Sequence, residues 1–553
     1  MSFFGGKRVE DLLPGNVTLV LVCAFILSFI LKISLLKIGS PFITIDDNTA
    51  FEGGFLVWFG QAPPQRMYLE SWICGLSSLL TYIVKMIMAG NMGTIGLNLI
   101  ADAYRDFYGQ PDTYVQVYRF LMITVDMVTA YFIFLLSRKI LGSRWHGWAA
   151  ALPAVLYLFS YNTFWCDVVA RPDTLVVFFS ILGLFLYYKS DFGVRIEWFW
   201  AAAVLLGLAA GMKLHAAFFA IFLAMDLLRV HGLKKGSGKV LCLSVISFFF
   251  FCFAAGSLFA DPLTYIKLRM LNIRDDVSPW IQWGEQFVTI LRGSGWLVVP
   301  VLLCAVLLIM WKSKNNDSGQ RAKSIIFQSV CWLLLFSTIR QLRAYWMLPV
   351  LPLFYISAVY ALSQLRKTKI AAALAIVLLL MMGGQSYSQF RELKSIDFNE
   401  LRTWVQNHAV DKPIYIFGYE ALMLPKNTIC IQNRVTGLNR TLKISLAEGL
   451  SFTYRHLKNW EERSALILFD ILGNKYEPGY EYYGIYSTPL DSYSDIISLD
   501  KMSYVFVQAH FPVNTQSGLE KYLQEHFTMI TELTGAGGGG AGLKYKIYER
   551  KAS

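Results

Sequence analysis

The feature that most constrains this chain is a succession of apolar runs, each roughly twenty residues long, separated by short polar connections. About twenty apolar residues in helical form cross the ~30 Å hydrocarbon core of a bilayer. Backbone groups in lipid must satisfy one another within the segment, so such runs are helices. The pattern predicts a polytopic α-helical membrane protein. Composition agrees, because only 16% of the 553 residues are charged and 55% are hydrophobic, whereas soluble domains carry about a quarter charged residues.

About eleven spans can be marked, near 17–38, 114–137, 146–163, 172–189, 197–212, 214–230, 240–260, 292–311, 324–340, 344–364 and 369–387. The apolar stretch Trp72 to Met88 is interrupted by Gly75, Ser77, Ser78 and Lys85, which favours a helix lying along the interface. Cytoplasmic loops collect Lys and Arg. With the N-terminus inside, the inner loops carry Arg138, Lys139 and Arg144, then Lys189 and Arg195, then Arg229, Lys234, Lys235 and Lys239. The last two inner loops carry Lys312, Lys314, Arg321 and Lys323, and then Arg366, Lys367 and Lys369. Counting 72–88 as a full span would place every later cluster outside, so the charge pattern favours the odd number. The run after Lys7 and Arg8 is too long for a signal-peptide core and shows no clear cleavage site, so it reads as a retained first helix.

The net charge of +12 comes from these short clusters between apolar runs. Topology and anionic headgroups account for such clusters, and no basic-aromatic module for nucleic acid is present. Five of the eight cysteines (Cys23, Cys242, Cys252, Cys304, Cys331) lie inside apolar runs and no CxxC pair occurs, so neither a zinc site nor a disulfide framework is indicated. From about residue 388 the apolar content falls. Helix-like segments (398–408, 518–526) alternate with strand candidates at 413–418, 465–469, 504–509 and 543–549. The expectation is a membrane domain over 1–387, with a first outer loop at 39–113, and an extracytoplasmic α/β domain over 388–553. Gly535 to Gly542 lacks the Lys-Ser/Thr ending of a phosphate loop and reads as a flexible hairpin or loop.

Polar residues within the first part gather on the outer face of this topology. Thr44-Ile45-Asp46-Asp47-Asn48 follows the first span. Two adjacent carboxylates at a membrane exit need water, a metal or a substrate, but Asp and Asn also suit a solvated helix start. Both readings stand on the residues alone. The loop Trp165-Cys166-Asp167-Val168-Val169-Ala170-Arg171-Pro172-Asp173 opens the fourth span. Pro172 and Asp173 fit a first helical turn, which leaves Asp167 and Arg171 at the same edge without a structural duty. Lys213, in Gly211-Met212-Lys213-Leu214-His215, and Arg340 and Arg343, in Arg340-Gln341-Leu342-Arg343, are cations on the side that should avoid them. A single lysine there can snorkel to the headgroups. An anionic ligand at the outer interface explains all three, with Arg chelating phosphate and Lys acting as a point charge.

These segments together resemble the GT-C superfamily of glycosyltransferases. The acidic pair Asp46-Asp47 resembles its first-loop motif, with Asp-Asp where many members carry Asp-Glu. Tyr118-Arg119-Phe120 leading into a span that ends Ser137-Arg138-Lys139-Ile140-Leu141-Gly142 is also similar to the family. Ala170-Arg171-Pro172-Asp173 looks like its second outer loop, and Gly207-Leu208-Ala209-Ala210-Gly211-Met212-Lys213 its Gly-Leu-Ala…Lys segment. Arg343-Ala344-Tyr345-Trp346-Met347-Leu348-Pro349 followed by Leu351-Pro352 resembles its Arg-Tyr-x-Leu-Pro…Pro pattern. The order of these features covers about residues 15–390. An outer C-terminal α/β domain is typical of the branch with protein mannosyltransferases and lipid A aminoarabinose transferases.

The resemblance implies a sugar donor linked to polyprenyl phosphate, a single inverting displacement, and a glycan, lipid or protein acceptor. It implies that Asp46 or Asp47 orients and deprotonates the acceptor hydroxyl, and that Lys213, Arg343, Arg340 and Arg171 hold the donor phosphate. Asp167, Asp173 and His215 are then substrate-positioning residues, or ligands of a divalent metal, whose use varies in the superfamily. The implied location is a bacterial inner (plasma) membrane, with the N-terminus cytoplasmic and the C-terminal domain outside. The competing class is a transporter or flippase for an anionic lipid-linked substrate, although no internal repeat or paired broken helices are evident. A ligase or polymerase on the same lipid carrier is a nearer rival, but such proteins place their large loop late among the spans.

Overall fold

The computed structural model describes residues 15–38, 50–51, 54–55, 57–58, 68–91, 99–109, 111–141, 147–169, 171–254, 279–295, 298–299, 317–338, 344–364, 368–394, 399–408, 414–417, 430–431, 503–508, 523–535 and 543–551. The chain divides into two compact units. One comprises Met1–Leu36, Arg66–Glu70 and Arg119–Phe390, and the other Lys37–Gln65, Ser71–Tyr118 and Arg391–Ser553.

Helices dominate. In chain order they are α1 (Gly15–Ile33), α2 (Tyr68–Met88), α3 (Leu99–Gly109), α4 (Pro111–Leu141), α5 (Gly147–Leu158), α6 (Tyr161–Val168), α7 (Asp173–Lys189), α8 (Ile196–Met212), α9 (Ala217–Ala254), α10 (Pro279–Ser294), α11 (Asp317–Thr338), α12 (Leu351–Ser363), α13 (Thr368–Lys394) and α14 (Asn399–His408). Among the described residues, four stretches are long and apolar enough to cross a membrane: Leu69–Met88, Asp112–Leu141, Leu214–Ala254 and Lys369–Lys394. Shorter apolar helices occupy Val17–Ile33, Gly147–Leu158, Ile196–Met212 and Leu351–Ser363. Large apolar side chains such as Ile26, Leu27 and Ile30 of α1, Phe248 and Phe249 of α9 and Leu380 of α13 point outward. Water would penalise that surface and lipid does not. The protein is a membrane protein.

Two expectations meet the structure differently. The polar residues of 72–88 do not interrupt α2, because Ser78 Oγ donates to the Cys74 carbonyl at 3.0 Å and Thr81 Oγ1 to that of Ser77 at 2.8 Å. Hydroxyls bonded one turn back are absorbed within a helix, and α2 is continuous, with the length and apolarity of a span. The sixth and seventh expected spans, 214–230 and 240–260, correspond to the two helical halves of α9, which meet at a break at Gly232 with φ 72° and ψ 168°. That backbone region favours glycine. Most of the expected span at 292–311 lies outside the described residues.

In the first unit α7 and α8 run antiparallel, joined by a turn at Ser190–Arg195. Asp191, Phe192 and Gly193 all have positive φ there, and the Gly193 N–H donates to Ser190 Oγ at 2.9 Å. The Phe192 carbonyl accepts from His231 at 2.8 Å and Lys239 at 3.2 Å, on either side of the Gly232 break. Arg321 of α11 reaches Asp191 at 3.2 Å and the Lys139 carbonyl at 3.5 Å. The basic clusters of four connections therefore collect at one end of the bundle. Just inside it, buried Asp226 of α9 accepts from Arg229 at 2.6 Å, Tyr187 of α7 at 3.2 Å and Ser324 of α11, tying three helices together.

The second unit contains a five-stranded sheet in the order β2-β1-β3-β5-β4. The strands are β1 (Ile414–Phe417), β2 (Cys430–Ile431), β3 (Tyr504–Gln508), β4 (Phe527–Gly535) and β5 (Leu543–Arg550). β1 pairs in parallel with β2 and β3, while β5 is antiparallel to β3 and β4. Trp404 of α14 packs edge-on against Tyr504 at 5.2 Å and Phe506 at 5.7 Å. The glycine-rich run connects β4 to β5, which pair as a hairpin. β4 itself was not anticipated, and the strand expected at 465–469 lies outside the described residues.

Candidate functional site

At the end of the bundle opposite the basic connections, α6 and α7 meet at an angle of 117°. The bend has local causes. α6 ends where the Val169 N–H donates to the Trp165 carbonyl at 3.1 Å, and Pro172 immediately precedes α7. Proline suits a helix start, since its missing N–H would be unbonded there. The Pro172 carbonyl takes the Val176 N–H at 2.8 Å, which starts α7 with Asp173 in its first turn, favourable for a carboxylate near the helix dipole.

Lys213 closes α8 in an extended conformation (φ −142°, ψ 119°). A single 3-10 turn, Leu214–Ala216, then leads into α9. Gly183 of α7 and Leu206 of α8 pack closely, for a Cβ on Gly183 would lie 3.0 Å from the Leu206 side chain. This contact sets the antiparallel pair so that its two ends coincide. Asp173 Oδ1 accepts from Lys213 Nζ. Asp173 is fully buried and Lys213 nearly so. The cation that the sequence left in search of an anion thus has a carboxylate of the protein as its partner.

The second Asp173 oxygen, Oδ2, is buried and has no hydrogen-bond partner among the described residues. The same holds for His215 Nε2. The His215 ring stacks on Trp346 at 6.0 Å and 18°, and Trp346 lies in the 3-10 turn Ala344–Met347, which also packs on α6. Buried polar atoms are bonded in the great majority of cases, so these two, one on the partner of Lys213 and one two positions beyond Lys213 in the chain, are the candidate ligand contacts of this corner. Arg171 is half-buried at the same corner. Asp167, Arg171, Asp173 and Lys213 all lie within electrostatic reach of Cys166.

Asp167 behaves differently from the expectation of a substrate or metal ligand. Its Oδ2 accepts from Lys32 Nζ at 2.5 Å and its Oδ1 from Thr174 Oγ1 at 3.1 Å. Lys32 also bonds Asp126 Oδ2 at 2.5 Å, and Asp126 Oδ1 accepts from Tyr157 at 2.6 Å. All three charged side chains are essentially inaccessible. Sequence reasoning did not single out Lys32, Asp126 or Tyr157. The available signal was an ionisable residue inside each of two apolar runs, which in a membrane is a functional pointer by default.

Asp46, Asp47, Arg340 and Arg343 lie outside the described residues. Trp346, three positions along the chain from Arg343, is nonetheless at His215, two positions from Lys213. Among the described residues no three His, Cys, Asp or Glu side chains come together to hold a metal ion, and both Asp167 oxygens are already engaged.

No protein-family model matches the chain, and no curated protein matches it either. Solved structures do resemble it. ArnT from Cupriavidus metallidurans, bound to undecaprenyl phosphate, is 10% identical, with 97% of this chain and 98% of that chain covered and a TM-score of 0.47. An Archaeoglobus fulgidus oligosaccharyltransferase in complex with Zn and sulfate is also 10% identical, covering 94% of this chain and 72% of that one at a TM-score of 0.45. The arabinofuranosyltransferase AftD from Mycobacteria is 12% identical, and the match covers 96% of this chain but 41% of AftD, at a TM-score of 0.43.

Proposed function

We propose that this chain is a membrane glycosyltransferase of the GT-C type, moving a sugar from a polyprenyl-phosphate carrier to an acceptor outside the cytoplasm. One observation carries the reading. At the end of the bundle away from the basic connections, a buried acid–cation pair, Asp173 and Lys213, leaves one carboxylate oxygen without a partner among the described residues, and the same is true of a ring nitrogen of His215, two positions from Lys213. A sugar offers hydroxyls to both atoms, and a phosphate ester offers anionic oxygens to Lys213 and Arg171. The five sequence segments that resemble the superfamily supply the remaining parts.

In this reading the donor phosphate is held by Lys213, Arg171, Arg340 and Arg343. Asp46 or Asp47 accepts the proton of the acceptor hydroxyl as its oxygen attacks the anomeric carbon. The bond from that carbon to the phosphate oxygen breaks in the same step. Polyprenyl phosphate leaves with the electron pair, and the cations stabilise the growing charge. One displacement inverts the anomeric centre. Residues 388–553 form an outer domain that faces the acceptor, and the setting is a bacterial inner membrane with the N-terminus inside.

The test is release of free polyprenyl phosphate from a radiolabelled polyprenyl-phosphate sugar by the purified protein. Asp46→Asn and Asp47→Asn are expected to lower turnover by about 100-fold or more, within the range for losing a positioned acid–base group. Undiminished turnover in both variants removes the proposed base. The α6–α7 bend is also a broken-helix geometry of the kind transporters use at substrate sites. Sugar uptake into sealed vesicles without polyprenyl phosphate release would establish that second reading instead.

A further inference from the structure

We propose that Lys32 is a positioning residue: through Asp126 and Asp167 it locks the α6–α7 corner and thereby sets Arg171 and Asp173 for the donor. The last clause rests on the proposed function, and the locking of the corner does not. Lys32 projects from the last turn of α1 into the bundle, where it bonds α4 through Asp126 and α6 through Asp167. Its ammonium also lies 5.3 Å from the Phe164 ring of α6.

The tie continues into α7. Thr174 Oγ1 reaches Asp167 Oδ1 at 3.1 Å and the Cys166 carbonyl at 3.2 Å. Thr174 adjoins Asp173 in the chain, and Asp173 bonds Lys213. Polar contacts, joined by the peptide bond between Asp173 and Thr174, thus lead from α1 and α4, through the corner, to the end of α8. Every carboxylate oxygen of Asp126 and Asp167 has a donor.

Stability alone does not call for this arrangement. Replacing a buried ionic triad with apolar side chains of similar volume is often neutral or stabilising. What the triad adds is direction, because charge-assisted hydrogen bonds hold particular atoms in particular places. Here the atoms held belong to a short, sharply bent segment, for α6 has only eight residues and a helix that short is marginal by itself.

Cys166 offers a reporter of the corner that is independent of catalysis, being a free thiol and fully buried. In the purified full-length protein its reaction with N-ethylmaleimide can be followed peptide by peptide by mass spectrometry, alongside retention of undecaprenyl phosphate by native mass spectrometry. The wild type and Lys32→Arg should keep Cys166 protected. The neutral triple variant Lys32→Met, Asp126→Asn, Asp167→Asn leaves no buried charge uncompensated and should keep the wild-type melting temperature. It should nevertheless label Cys166 at least about tenfold faster and hold undecaprenyl phosphate about tenfold more weakly, an effect of about 1.4 kcal/mol. Thr174→Val cuts the same tie without changing any charge and should move both readouts the same way. Wild-type protection and retention in both variants would overturn the proposal and leave the triad a mere charge balance. If Cys166 becomes reactive while even the wild type fails to retain undecaprenyl phosphate, the corner lock stands and the donor assignment falls.

Discussion

Asp173 and Lys213 show how a membrane environment changes the value of single residues. In water an exposed ion pair contributes about 0–1 kcal/mol. Here the carboxylate is wholly buried and the ammonium is 13% exposed, so losing one partner leaves the other desolvated without compensation. Lys213→Met is therefore expected to cost about 3–5 kcal/mol, read as a lower thermal unfolding midpoint in detergent. Pairing it with Asp173→Asn should recover most of that loss without restoring the proposed sugar transfer. A single variant as stable as the wild type would mean that water reaches the pair. Both residues stood out in the sequence because they interrupt apolar runs at their ends. Lys32 did not, since a lone lysine near the end of an apolar helix reads as one that snorkels to the headgroups. Only its inward contacts with Asp126 and Asp167 separate the two fates.

Helix contacts explain why the glycine-rich segment at the end of α8 precedes Lys213. A Cβ on Gly207 would lie 2.4 Å from the Ser247 carbonyl oxygen and 2.9 Å from the Phe250 Cβ of α9. The Ser247 hydroxyl in turn donates to the Ala203 carbonyl at 2.9 Å. Small residues let helix backbones approach this closely in a membrane. Gly207→Ala should destabilise the protein by about 1–3 kcal/mol through overpacking. Gly238→Ala on α9 meets open space and should leave stability unchanged or raise it by about 0.5–1 kcal/mol. Thermal unfolding of the two variants side by side checks both values, and equal losses would contradict the close α8–α9 approach. The resemblance marked Gly207 as part of a motif. Its mechanical reason needed the position of Ser247, 40 residues away.

At the scale of the helical unit, polarity of charge is the organising fact. The connections around Lys139, Asp191, Lys239 and Arg321 meet at one end, while α8, 17 residues long, carries Lys213 about 25 Å away at the other. Val194 and Leu233 are exposed at the basic end. Cysteines placed at 194 and 233, in a background without other reactive thiols, should label from the same side of sealed vesicles with an impermeant maleimide. A cysteine at 214 should label from the opposite side. Labelling of 194 and 214 from one side would overturn this topology. The basic clusters were legible in the linear chain because cytoplasmic loops retain Lys and Arg. Their convergence through the Phe192 carbonyl and Asp191 was not, for it depends on three successive positive-φ residues that no local pattern marks.

The amino-acid sequence alone determined that the chain enters a membrane, roughly where its helices lie, which connections are basic, and that polar residues gather at the ends of particular spans. These are properties of runs and periods, and lipid enforces them segment by segment. Tertiary structure decided which of those polar residues meet. It gave Lys213 to Asp173, paired Asp167 with Lys32, set the break between two expected spans at Gly232, and left Asp173 Oδ2 and His215 Nε2 buried with no partner among the described residues. Pairing of buried charges depends on helix rotation and close approach between segments distant in the chain, and no single segment carries that information.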